Sequence, residues 1–270
     1  MLAAPALGDD APSPFFLLTG AAAGALYDSN ITRTASPEGD LALDATAHAG
    51  GGWAVSDTWG LSAVALYRGR AWVSAIDFST HVTSVMGLVT WSPAEWVTLG
   101  LAPSGGYTFA VDSARAGPRV DGRAYSVFQP LDWLAVRVGY GYLWRGAAEP
   151  VFASCTHEAH ARLQFAPLAW LHVTLSASLA LGNDVVYRVA EAEVPVIASG
   201  RGPGAHQSAA GPTLEVIGVD ARTSTAAAEL EILLPAGFSL VAELAWVTSD
   251  NPVQPWQSWM PSALVAWDLP

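Results

Sequence analysis

The run Cys155-Thr-His157-Glu158-Ala-His160 places four potential metal ligands within six residues. Zinc and related ions accept such sulfur, imidazole and carboxylate donors when three or four converge on one point. Successive side chains on a strand point to opposite faces, so Glu158 and His160 align while His157 diverges, and the sequence predicts a polar cluster and no metal. Two short runs, His81-Val-Thr-Ser84 and His172-Val-Thr174, carry the hydroxyl and imidazole types used in nucleophilic catalysis. That chemistry needs the base within hydrogen-bond reach of the nucleophile and a third polar group to orient it. No convincing third group accompanies either run, so neither an enzyme nor a cofactor is predicted. Glu191 with Glu193, and Glu229 with Glu231, have the makings of acid–base carboxylate pairs. As i, i+2 neighbours on one strand face they read as a solvated acidic stripe.

Composition narrows the elements that carry these residues. Of 270 residues, 51% are hydrophobic and only 13% charged, against about 25% charged in an ordinary soluble domain. No stretch approaches the roughly 18 to 20 unbroken apolar residues of a spanning helix; residues 15–26 come nearest and are interrupted by Thr19, Gly20 and Gly24. Lipid offers no water to unpaired backbone groups, so only helices and closed barrels span it. A barrel remains. Twelve Trp, 25 Gly and 18 Pro suit many short strands with punctuated turns and aromatic rims. The single cysteine, Cys155, rules out an internal disulfide. A net charge of −12 argues against nucleic acid, which needs clustered cations. Residues 1–14 read as a flexible segment whose start, Met1-Leu-Ala-Ala-Pro-Ala-Leu-Gly, lacks a charged n-region and a full apolar h-region, so export is inferred from the rest of the chain.

A repeat counts the strands. Trp59, Trp96, Trp133 and Trp170 are each 37 residues apart, and the last three follow a Pro by three residues, as in Ser92-Pro-Ala-Glu-Trp96 and Gln129-Pro-Leu-Asp-Trp133. Pro cannot donate to a ladder and marks a tight turn, with the Trp where a strand enters the membrane interface. Thirty-seven residues hold two strands of roughly ten residues, a tight turn and a longer loop, which is an outer-membrane hairpin. With Leu234-Pro-Ala-Gly-Phe238 as a fifth turn, the chain reads as an all-β, antiparallel up-and-down transmembrane barrel of twelve strands. The predicted strands are 15–27, 41–55, 59–69, 80–91, 96–108, 119–129, 133–145, 155–166, 170–182, 223–233, 238–248 and 259–269. Trp170 to Phe238 spans 68 residues; this implies a long extracellular loop at about 183–222, or fourteen strands if Val186, Ala190, Ala192, Val194 and Val196 form a further lipid-facing row. Trp53, Trp59, Trp91, Trp96, Trp133, Trp170 and Trp267 are expected at one interface and Trp72, Trp144 and Trp246 at the other, as aromatic girdles. Trp256 and Trp259 fall at the outer end of the last hairpin.

The alternation places two sets of charge on the inner face. Asp44, Glu229, Glu231, Glu243 and Asp268 lie on strands that become neighbours when the barrel closes, and Arg68, Arg123, Arg137 and Arg162 lie on strands three to eight. Opposed charge rows set a transverse field that orients dipolar solutes and biases ion passage; the alternative is that they only keep a narrow lumen wet or pair across it. With 24 acids to 12 bases, weak cation preference is expected.

The segment Gly24-Ala-Leu-Tyr27-Asp28-Ser29-Asn30 resembles the opening hairpin of several proteobacterial outer-membrane barrels, including those of surface lipoprotein assembly modulators. The alternating Ala263, Val265, Trp267 and Leu269 look like the signal read by outer-membrane assembly machinery, although the chain ends Leu269-Pro270 and not on an aromatic residue. The His-x-Ser-Asn-Gly run of outer-membrane phospholipases is absent. The sequence therefore predicts a porin-like channel passing small solutes or ions, in contact with outer-membrane lipids and lipopolysaccharide. The alternatives are a structural or export barrel without an open pore and, further off, a membrane-embedded hydrolase.

Overall fold

A computed structural model of the chain describes residues 14–31, 33, 37–189 and 214–268. Twelve strands run in chain order as β1 (Phe15–Asp28), β2 (Asp40–Ala54), β3 (Trp59–Trp72), β4 (Thr80–Ala94), β5 (Val97–Ala110), β6 (Gly117–Leu131), β7 (Leu134–Arg145), β8 (Ser154–Leu168), β9 (Leu171–Val189), β10 (Leu214–Leu233), β11 (Phe238–Asp250) and β12 (Trp256–Asp268). Each pairs antiparallel with its sequence neighbours, and β1 pairs with β12 to close the barrel. Closure gives every strand two partners, so no ladder edge faces lipid. The twelve-strand reading holds over the fourteen-strand one.

Each strand divides its residues by parity. On β7, Val138, Tyr140 and Tyr142 are exposed on the outer wall, while Arg137, Gly139 and Gly141 face inward beside Arg162, His160 and Glu158 of β8. The outer positions of β11 are Phe238, Leu240, Ala242, Leu244 and Trp246 and the inner ones include Ser239, Glu243 and Ala245. An apolar face toward lipid and a polar or small face toward the interior is the barrel pattern.

The 37-residue repeat has a specific structural cause. Ala94 pairs with Val97, Leu131 with Leu134 and Leu168 with Leu171, so Glu95-Trp96, Asp132-Trp133 and Ala169-Trp170 are two-residue turns. A register shift precedes each turn and contains its Pro, where the missing N–H costs the ladder nothing. The residue before that Pro donates to the previous turn: Gln129 N to Trp96 O and Ala166 N to Trp133 O, each at 2.8 Å. Leu233 N does the same to Trp170 O at 2.8 Å. Each turn thus registers the hairpin after it. The Trp is the second turn residue, and the strands start one position later than the spacing predicts.

Two differences from the sequence reading concern the loop side. β9 and β10 keep pairing beyond the barrel rim, from Ala221↔Gly182 up to Leu214↔Val189, whereas the last β8–β9 pair is Thr156↔Gly182. Much of the expected 183–222 loop is therefore a two-stranded extension, because continued pairing satisfies backbone groups that an irregular loop would have to hydrate. Residues 190–213, with Glu191, Glu193 and most of the proposed extra row, lie outside the described residues, as do residues 1–13. Trp72 is the second difference. It points inward opposite Ala42, is only 8% exposed, and packs with Leu26 and Ile31. Because β3 runs on to Trp72, its parity puts this ring inside the mouth and not on the outer girdle.

The closing seam uses the Tyr27-Asp28-Ser29-Asn30 motif. Ser258 of β12 donates to the buried Asp28 carboxylate, Trp259 N donates to Ser29 Oγ at 2.8 Å, and Asn30 Nδ2 donates to Gln257 O at 3.2 Å. Arg33 forms an ion pair with Asp28 at 2.9 Å and covers the Trp256 ring at 4.4 Å. Gly24 admits the strands' close approach, since a Cβ there would meet the Ala263 carbonyl oxygen at 2.1 Å and Leu264 Cα at 2.5 Å. Gly24→Val is expected to block closure between β1 and β12. The purified variant should lose the mobility difference between unheated and boiled samples that a closed barrel shows on electrophoresis, and an unchanged difference would refute the contact.

Candidate functional site

The inner wall carries the chain's organised charge. Asp44 of β2 sits opposite Arg70 and accepts from both Arg68 (2.7 Å) and Arg70 (2.6 Å) of β3. Arg123 shares Asp121 with Arg119, at 3.4 and 3.7 Å. Arg137 of β7 lies directly opposite Arg162 of β8, and Arg162 reaches Glu229 of β10 at 4.0 Å. Glu229 in turn is opposite Glu243 of β11. Glu231 meets His172 Nδ1 at 3.2 Å, and Asp268 lies 3.7 Å from His48 Nε2.

The two predicted charge sets therefore share one inner wall but are not cleanly segregated. Asp44 belongs with Arg68, because β2 and β3 are adjacent and their register sets aspartate beside arginine. The separation survives elsewhere: Arg123, Arg137 and Arg162 gather on β6–β8, and Glu229, Glu231 and Glu243 on β10–β11. Sequence reasoning passed over Arg70, Arg119, Asp121 and Arg145. Arg70 is two residues past Arg68 on the same face, beyond the predicted end of its strand. Arg119 and Asp121 share the face of Arg123, in a strand whose alternation was blurred by inward Tyr125 and Val127.

These groups meet solvent. The side chains of Arg68, Arg123 and Arg162 are 57%, 53% and 43% exposed, although all three point into the barrel. Among the described residues the largest fully buried side chains are Asn30, Asp28 and Ser258, all at the loop-side seam. The arginines of the inner wall are thus not enclosed by other side chains, while Val64 and Ala245 of the same wall are buried. Packing concentrates at the loop-side mouth, where Leu26, Ile31, Ala42 and Trp72 cluster. Nearby, Arg115 lies over Phe78 at 4.1 Å and Phe152 at 5.1 Å, joining three loops. Its burial lowers its pKa, against the pull of Asp112 and Asp77.

The other candidate clusters are divided by the wall. Cys155 and His157 face outward beside Trp144 and Tyr142, whereas Glu158 and His160 face the lumen. His81 faces outward and bonds Tyr67 Oη at 2.8 Å, while Ser84 of the same run points inward opposite Gly106. His172 is inward with Glu231. Apart from Trp72, the expected aromatic positions lie on the outer wall: Trp59 stacks on Trp91 at 5.8 Å, Trp96, Trp133 and Trp170 are exposed at the tight turns, Trp267 packs near Phe238 at 6.4 Å, and Trp246 lies 6.0 Å from Trp259 at the loop end.

No protein-family model matches the chain, and no curated protein sequence matches it. Solved structures do. The COG4313 outer membrane channel from Pseudomonas putida F1 aligns over 98% of this chain and 100% of its own, with a TM-score of 0.64 at 9% identity. The NanC porin aligns over 93% of this chain and 100% of its own, with a TM-score of 0.53 at 11% identity. The CymD monoaromatic hydrocarbon channel covers 94% of this chain and 88% of its own, with a TM-score of 0.50 at 8% identity. At such identities the similarity establishes the fold, a barrel of the bacterial outer-membrane type.

Proposed function

We propose that the chain is a bacterial outer-membrane channel that passes small polar solutes or ions through its lumen. The observation that supports this reading is the charged inner wall, where Arg68, Arg123 and Arg162 point inward with side chains 43–57% exposed and carboxylates stand among them. A barrel that served only as an anchor would gain stability by filling that interior with apolar contacts. The structural neighbours, among them outer-membrane channels and porins, support the same reading. The outer Trp residues are proposed to sit at the two lipid interfaces, in contact with lipid and lipopolysaccharide.

The arginines of β6–β8 and the glutamates of β10–β11 lie side by side on the inner wall with β9 between them, and their field is proposed to orient dipolar solutes in the lumen. The chain's acidic excess lies largely at the rims, with Asp57, Glu95 and Asp132 at the tight turns and Asp77, Asp112 and Glu149 at the loops. Acidic mouths concentrate cations, so weak cation preference is proposed. Purified protein in a planar bilayer is expected to give discrete conductance steps, and a potassium chloride gradient is expected to give a reversal potential of the sign set by potassium. Silent bilayers would sink the channel reading in favour of a structural or export barrel; a chloride-signed potential would sink the preference. No catalytic role is proposed, since the register holds His81 and Ser84 on opposite faces.

A further inference from the structure

The three arginines on β6–β8 are arranged in a way that their own protein partners do not balance. Arg137 and Arg162 occupy directly opposed positions of neighbouring strands, where like charges repel. Arg137 makes no ion pair among the described residues, its Nε has no hydrogen-bond partner, and its guanidinium lies 3.8 Å over the Tyr125 ring, which holds its plane in place. Among the described residues Arg162 has only the 4.0 Å contact with Glu229, while Arg123 donates from Nε and Nη2 to the two oxygens of Asp121, each at 3.4 Å, an aspartate it shares with Arg119. Together with Ser176, Ser178 and Thr225 they line a recess of about 250 Å³ in the inner wall. Glu158 and His160 share the recess, and among the described residues Glu158 forms no ion pair with any of the three.

We propose that this recess is a binding site for a small organic solute bearing a carboxylate, held by Arg137 and Arg162 with Arg123 at its edge. The proposal rests on the channel reading for its biological sense, and on the geometry alone for its chemistry. A guanidinium presents parallel donors that match a carboxylate, which point-like cations do not. Two forks brought side by side, one without an ion pair and the other with only a 4.0 Å contact to Glu229, are relieved by an anion that bridges them. The hydroxyls of Ser176, Ser178 and Thr225 add donors and acceptors for the rest of a hydroxylated solute. A neutral polyol satisfies the hydroxyls but leaves the arginines unrelieved, so the site discriminates by charge.

The test is calorimetric titration of tartrate, and separately of the neutral polyol threitol, into the folded full chain in detergent at low salt. Tartrate is expected to bind saturably and threitol not to bind. Arg137→Gln is expected to weaken tartrate at least about tenfold, the range for a lost charge-assisted hydrogen bond. Arg162→Lys, which keeps the charge but loses the fork, is expected to weaken it as well. Ser84→Ala, on the inner wall of β4 and outside the recess, is expected to leave it unchanged. Each variant is first shown to retain the boiled-versus-unheated mobility shift of a closed barrel. Absence of saturable tartrate binding, equal binding of threitol, or equal affinity in folded Arg137→Gln overturns the site. Bilayer recording separates the two readings: binding without conductance leaves the site standing and removes the channel, and conductance without binding does the reverse.

Discussion

Replacement of Asp28 by Ala is expected to destabilise the barrel by about 3 kcal/mol, the lower end of the range for removing one partner from a buried ion pair. Asp28 is fully buried and does several jobs at once. It accepts from Ser258 of β12 and from Asn30 N at 2.9 Å, and it neutralises Arg33 at 2.9 Å. Arg33 adopts a left-handed backbone conformation, φ 54°, which these contacts stabilise against its intrinsic cost. The seam is where such a loss is felt most, because among the described residues the β1–β12 ladder runs only from Gly20↔Asp268 to Leu26↔Ser262. Asp28→Asn, which keeps an acceptor but loses the charge, should fall between the wild type and Asp28→Ala. Urea unfolding in lipid vesicles, followed by Trp fluorescence, measures the series. A change below about 0.5 kcal/mol, the scale of an ordinary surface substitution, would mean that the motif does not hold the seam.

The second large effect separates the two faces of one strand. Ala228 and Ala227 are consecutive in β10, near mid-barrel; Ala228 pairs with Leu244 and Leu175 on the outer wall and Ala227 with Ala245 and Ser176 on the inner. Ala228→Arg puts a cation into lipid and is expected to cost about 2–4 kcal/mol at the bilayer midplane. Ala227→Arg puts the same group into the lumen beside Glu229 and Glu243, where water and carboxylates accept it, and should cost far less. The same vesicle unfolding experiment compares them. Equal costs would mean that the face assignment, and with it the whole reading of the inner wall, is wrong.

Much of this architecture was legible in the chain because a membrane barrel obeys local rules. Pro130 and Pro167, each three residues before a Trp, marked tight turns, since Pro removes a ladder donor wherever it stands. Alternation in Leu134–Arg145 and in 238–248 assigned faces directly, because strand side chains alternate regardless of what surrounds them. The inward placement of Arg137, Arg162, Glu229 and Glu243 followed from that parity alone. Strand ends were less legible. Trp72 and Arg70 lie on an extension of β3 that the 59–69 reading stopped short of, and parity beyond an end cannot be read.

What only the tertiary structure decided is who stands beside whom. That Asp44 takes Arg68 and Arg70, that Arg137 faces Arg162, and that Asp28 reaches Ser258 across 230 positions of chain all depend on register and closure. A strand's own sequence sets which wall a side chain joins, because the backbone pleat is local; it does not set the height at which the neighbouring strand slides into place, because that is chosen jointly by turns, bulges and the seam.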